Sequence, residues 1–283
     1  MKEERITVDG NKSVIALQSG DDDTTYKGRT LTHYTTNDAL YSILKSKEFR
    51  AHQVREYKSQ NYCVKNKAIL DTVFSVSFSK SLGENAKMWK DVKKDVQVKV
   101  DFIFIENSHD FINHEEPFHL YESQCSKNPI ETFSSVYPVR KSFQRTKPIS
   151  VSSRLIVDRY VSEDEATSGM LKNGEPLGEE LLIDGVCCSI IQGTGTHDLL
   201  KWEYQDEVKL VAYLQSTSPV QIKNCEWLGI PIKYDSIETV KITFRRKDST
   251  QSFQQDNLIA LSKKIFGEKL IWGYSELDLD KNE

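Results

Sequence analysis

No apolar run in the chain approaches the roughly 20 residues that a membrane-crossing helix requires. The first residues, Met1-Lys2-Glu3-Glu4-Arg5, are charged where a secretion signal would be apolar. Both absences lead to the expectation of a cytoplasmic protein with no membrane partner. Cysteine is scarce: five in 283 residues, with Cys187 and Cys188 adjacent and none spaced as CxxC. An odd, unspaced set excludes a disulfide framework and suits buried thiols in a reducing compartment. Basic residues, 38 against 42 acidic, are too few to coat the surface, so contact with nucleic acid needs a local patch. There is no internal repeat, low-complexity segment, serine-hydrolase elbow or kinase signature. Gly193-Thr194-Gly195 lacks the rest of a phosphate-binding loop and reads as a turn before a helical turn at His197–Lys201. His109, His114 and His119 recur every five residues beside Glu115 and Glu116, but helical metal pairs need a spacing of three or four and Pro117 interrupts any helix. No metal site is expected.

What is present is an ordinary globular composition, 38% hydrophobic and 28% charged, which argues against a disordered chain. Residues 1–28 read as a loose extension with room for a strand at Ser13–Leu17, 29–275 as a single domain and 276–283 as a tail. Leu31–Thr35 reads as a strand; Thr36-Asn37-Asp38 is capping chemistry for a helix carrying Leu40, Ile43 and Leu44. Val73–Ser79 and Val96–Phe104 alternate apolar and polar residues, and so does Tyr204–Leu214. Gly83–Val92 reads as a short helix with Met88 and Trp89. Residues 106–150 are an irregular polar insertion, and the tail of the domain is strand, helix, strand over Thr239–Phe244, Asn257–Phe266 and Leu270–Tyr274. Strands outnumber short helices, so the class is α+β.

Charge is unevenly spread. Between Thr132 and Val157 there is no acidic residue, while Arg140, Lys141, Arg145, Lys147 and Arg154 are basic and Tyr137 and Phe143 interleave aromatics. Cations for phosphates and rings for bases make this a candidate arm for RNA or single-stranded DNA, or for an acidic partner protein; an ordinary basic loop has the same composition.

Three polar elements sit on strands that are apolar on their other face: His33-Tyr34-Thr35, Ser77-Phe78-Ser79 and Gln205-Asp206-Glu207. A period of two puts Ser77 with Ser79, and Gln205 with Glu207, on one side of their strands. The order, imidazole, then Ser-x-Ser, then Gln-x-Glu, resembles that of the ADP-ribosyltransferases. Breaking the nicotinamide–ribose bond of NAD builds positive charge on the sugar, which a carboxylate beside the ribose stabilises. One preorganised group of this kind is worth about 3–4 kcal/mol. In that reading Glu207 is the catalytic carboxylate, Ser77 fixes the sugar or supports it, and Gln205 orients the acceptor. His33 holds the dinucleotide, with Tyr34, Thr35 and Ser79 as further NAD contacts. Each residue also has a plainer explanation: His33 satisfied by a backbone carbonyl, the serines on a wet strand, Glu207 a surface carboxylate paired with Lys209.

Residues 31–275 also resemble an uncharacterised bacterial family, through Leu31-Thr32-His33-Tyr34-Thr35, Val76-Ser77-Phe78-Ser79, Met88-Trp89 and Trp202-Glu203-Tyr204-Gln205-Asp206-Glu207. The family usually has an acidic residue at the position of Gln205 and an arginine at that of Lys209. The resemblance implies a split, bent mixed sheet with an NAD cleft and transfer of ADP-ribose to a macromolecule. It also implies a toxin in bacterial phage defence, held by an antitoxin protein. From other classes, a noncatalytic module sensing a nucleotide or partner, or an NAD glycohydrolase, would use the same residues.

Overall fold

The computed structural model describes residues 26–53, 73–91, 96–106, 111–116, 118–122, 150–157, 159–168, 172, 179–183, 186–190, 197–215, 225–246 and 252–277. The expected Ser13–Leu17 strand, His109, Gly193-Thr194-Gly195 and the four arm residues Arg140, Lys141, Arg145 and Lys147 lie outside the described residues. Among the described residues, no helix is long and apolar enough to cross a membrane.

Local chemistry sets the first elements. Strand β1 (Thr30–Thr35) ends at Thr36, whose backbone stays extended while its Oγ1 accepts the Ala39 amide at 3.1 Å. That cap, with Asp38 in the first turn, starts helix α1 (Asn37–Ser46). Lys47 ends the helix in left-handed backbone, φ 58°, and turns the chain into β2 (Glu48–Gln53). There follow β3 (Val73–Ser79), α2 (Ala86–Asp91), β4 (Val98–Phe104), β5 (His119–Glu122), β6 (Ser150–Val157), β7 (Arg159–Val161) and α3 (Glu163–Ser168). Next come β8 (Glu179–Ile183), β9 (Val186–Ile190), β10 (His197–Leu199) and a 3-10 turn, Leu200–Gln205. The chain then runs through β11 (Glu207–Gln215), β12 (Cys225–Pro231), β13 (Ile237–Phe244), α4 (Ser252–Phe266) and β14 (Leu270–Tyr274).

The fold is α+β, built on a 10-stranded, largely antiparallel mixed sheet with few short helices. Its order is β14-β13-β4-β1-β3-β2-β12-β5, and β11 and β6 attach at β3. Among the described residues, only β13 and β14 pair in parallel within it. The sheet is split at β3. Along one edge β3 pairs with β11 from Val73 to Ser79. The other edge is shared: β1 meets it at Ser79, opposite Thr32, and β2 meets it at Phe74 and Ser75, opposite Gln53 and His52. Between those points neither strand pairs with it, so the two halves part there.

The core fills one face of this sheet. Leu31, Phe78, Val100, Phe102, Val208, Leu210 and Ile242 are buried in phase with each other, as period-2 alternation requires. Phe49 sits at the centre, with ring edges to Phe78 at 5.0 Å, Phe102 at 5.3 Å and Phe111 at 5.9 Å. Each such pair adds about 0.5–1.5 kcal/mol to the roughly 1.5–3 kcal/mol of burying the side chain. Leu40, Ile43 and Leu44 of α1 and Leu258, Ile259 and Phe266 of α4 complete the cluster.

Three sequence expectations change. The expected helical turn at His197–Lys201 is strand β10 leading into the 3-10 turn, because His197–Leu199 pairs in parallel with β7. The expected strand Tyr204–Leu214 starts only at Glu207, since Asp206 adopts φ 47° and breaks the extended backbone. Within the expected irregular stretch 106–150, His119–Glu122 is a strand paired with β12.

Candidate active site

Register decides which polar side chains share a face. Thr32 lies opposite Ser79 on one side and Asp101 on the other, and Ser79 lies opposite Glu207. This makes a transverse row Asp101, Thr32, Ser79, Glu207 on the face away from the core, neighbours being about 4.5–5.5 Å apart. The next row holds Lys99 beside Tyr34 and, past the split, Ser77 beside Lys209. These positions are polar but not wet. Glu207 is 7% exposed, Ser79 4%, and Lys99, Asp101 and Lys209 1% each.

Buried charges have to be paired. Lys99 Nζ lies 2.7 Å from both oxygens of Asp101 and donates to the Leu82 carbonyl at 2.8 Å. The Thr32 hydroxyl is 2.6 Å from Asp101 Oδ1 and 3.0 Å from the Ser81 carbonyl. These bonds tie the segment after β3 down onto the sheet. Lys209 Nζ lies 3.4 Å from Glu207 Oε2, so Glu207 is part of a buried pair and not the surface one its sequence neighbours suggest. The Glu207 amide donates to Tyr160 Oη at 2.9 Å, which fixes the first residue of β11.

Tyr34 shares this face, edge-on to Trp89 of α2 with centroids 5.4 Å apart. Its hydroxyl accepts the Asn85 amide at 3.3 Å, and burial pushes the phenol up to about 12, so it is protonated at neutral pH. Asn85 caps α2 through Oδ1, which accepts from Lys87 and Met88, while its Nδ2 donates to the Tyr204 carbonyl at 2.9 Å. One residue thus joins β1, α2 and the turn before β11. That turn is also held by Lys80, whose amide donates to the Asp206 carbonyl and whose ammonium lies 3.0 Å from its carboxylate.

The structure brings Ser77, Ser79, Glu207 and Tyr34 to one face. It does not bring His33 there. His33 is in phase with Leu31 and Val100 on the core side, its ring 5.4 Å from Phe78 and 6.4 Å from Phe49. Adjacent strand residues point to opposite faces, so His33 and Tyr34 cannot line the same groove from one strand. His33 Nδ1 sits 3.0 Å from the Ser77 carbonyl. A carbonyl only accepts, so Nδ1 carries the proton, and the bond falls where neither β1 nor β2 pairs with β3. Burial holds the imidazole below its ordinary 6.5, against the opposing effect of that bond. Thr35 follows His33 on the core side. Gln205 ends the 3-10 turn and shares no strand face with Glu207.

The sequence reading passed over two groups. Thr32, Lys99 and Asp101 occupy the polar phase of strands that were read only for their apolar phase. Across the split, Glu48 is buried, accepting the Tyr121 hydroxyl at 2.5 Å and bonding His119 Nδ1, with the Arg50 guanidinium 4.7 Å above the Tyr121 ring. Any Cβ at Gly229 would collide with the Glu48 carboxylate and the Tyr121 ring. His119, weighed in the sequence only as a metal ligand, therefore has a carboxylate partner. Among the described residues no three His, Cys, Asp or Glu side chains gather as a metal site would need.

Comparison with protein-family models, with curated proteins and with solved structures finds no match to this chain.

Proposed function

We propose that this chain is an NAD-dependent ADP-ribosyltransferase in which Glu207 is the catalytic carboxylate. The observation that carries the reading is a buried glutamate at the head of β11, in register with a serine, beside a split in the sheet. A carboxylate held in that way suits stabilisation of a ribosyl cation, because it is charged, fixed and partly withdrawn from water. The split itself is what an ADP-ribosyltransferase-like sheet with a dinucleotide cleft calls for. Roles shift from those expected. Ser79, next to Glu207, takes the sugar-orienting part first given to Ser77. His33 supports β3 instead of holding the dinucleotide. NAD is the substrate; RNA or single-stranded DNA is favoured over protein as acceptor by the basic and aromatic residues from Tyr137 to Lys147. A role as a toxin in phage defence, restrained by an antitoxin, fits the resemblance set out above.

A second reading draws on the same burial. Two buried ion pairs on one sheet face also suit a module that binds a nucleotide or a partner protein without chemistry. Incubation with labelled NAD, with and without RNA, separates transfer, hydrolysis and neither. Glu207→Gln should lower label transfer at least about 100-fold. Because that change removes the carboxylate from the buried pair with Lys209, Glu207→Gln with Lys209→Met is the folded control, and it should be equally inactive. Full activity in either variant removes Glu207 from the mechanism.

A further inference from the structure

We infer that Lys209 is a positioning residue for the Glu207 carboxylate, holding one oxygen so that the other is offered to the sugar; this rests on the reading of Glu207 as catalytic. Lys209 stands two residues along β11 on the same face, beside Ser77. A lysine normally carries its ammonium to water. Here it is 1% exposed, and its Nζ meets Glu207 at Oε2. Oε1 takes no hydrogen bond among the described residues, and Glu207 keeps a small exposed area. One carboxylate oxygen thus faces the ammonium, and the other is left without a bond to a described residue.

Two effects oppose each other. The ammonium offsets part of the negative charge that a developing ribosyl cation would feel. Yet a buried carboxylate stripped of its counter-ion loses the contact that fixes it and can rotate to other donors. A misplacement of about 1 Å costs on the order of 100-fold in rate, so orientation outweighs the offset. Arginine would keep both the charge and the contact, whereas methionine keeps only the volume.

The test is single-turnover NAD consumption by the full chain, for wild type, Lys209→Met, Lys209→Gln and Lys209→Arg, each also in the Glu207→Gln background. Melting and circular dichroism establish that each variant folds; the glutamine variant, which is uncharged and too short to keep the contact, stands in if the methionine variant does not. The expected result is a fall of about 100-fold in kcat for Lys209→Met, with KM for NAD changed less than about threefold and most of the rate restored in Lys209→Arg. In the Glu207→Gln background the same lysine changes should have little further effect, since nothing is left to position. A folded Lys209→Met or Lys209→Gln variant with wild-type kcat, or equal losses in both backgrounds, overturns the role of Lys209 and leaves Glu207 standing. Absence of NAD turnover in the wild type overturns both at once.

Discussion

His33 shows how one side chain can complete a sheet where a strand is missing. Its Nδ1–H occupies the Ser77 carbonyl at the point where β1 and β2 have both left β3. Removing it in His33→Ala leaves a buried carbonyl unpaired, which should cost about 1–3 kcal/mol by urea denaturation at pH 7.5. The bond also implies a pH dependence. The folded state holds this imidazole below its ordinary 6.5, so on acidification the unfolded chain takes up the proton first. The contribution is therefore complete above about pH 6.5 and is lost as pH falls toward the lower folded value. His33→Gln keeps a donor but does not titrate. Its stability should fall less than that of wild type between pH 7.5 and 5.5; parallel curves would assign the acid sensitivity elsewhere.

At the scale of elements, the short α2 matters beyond its six residues because Asn85 at its start also holds Tyr34 and the Tyr204 carbonyl. Asn85→Ala should cost about 2 kcal/mol, toward the upper end for a lost cap, measured as a shift in the denaturation midpoint. By contrast Thr36→Ala, which removes only the Ala39 contact, should cost about 1 kcal/mol. Elements such as these were legible in the sequence for a physical reason. β1, β3, β4 and β14 combine β-branched or aromatic residues in one phase, and Thr36-Asn37-Asp38 can only cap. β2 and β12 were not legible: Glu48 and Arg50 interrupt one with charges, and Gly229 and Pro231 interrupt the other. Their phase is set by tertiary pairing, with Glu48 buried against His119 and Tyr121. Of the candidate site, the Ser-x-Ser and Glu207 phases followed from alternation alone. The break at Asp206, with its positive φ, and the phase of His33 against Tyr34 were what a motif order could not convey.

For the whole molecule, the sheet face opposite the core buries two ion pairs. Such pairs differ in consequence from those at the surface. Lys99→Met, which strands Asp101, should destabilise by about 3–5 kcal/mol. Lys80→Ala, which breaks the half-exposed pair with Asp206, should cost no more than about 1 kcal/mol. Thermal or urea unfolding of the two variants side by side checks the contrast; equal losses would mean that the Lys99–Asp101 pair is not sealed from water.

The shared edge of β3 also bears on how the protein is made. β1 and β2 are synthesised before β3, but the strand that covers its other edge is β11, and everything from Lys80 to Asp206 must leave the ribosome first. At elongation rates of about 5–20 residues per second that is a delay of about ten seconds, during which a strand carrying Phe74, Val76 and Phe78 is half-paired. A nascent chain arrested just short of Glu207 would be a natural client for a chaperone, and one extended past Gln215 would not.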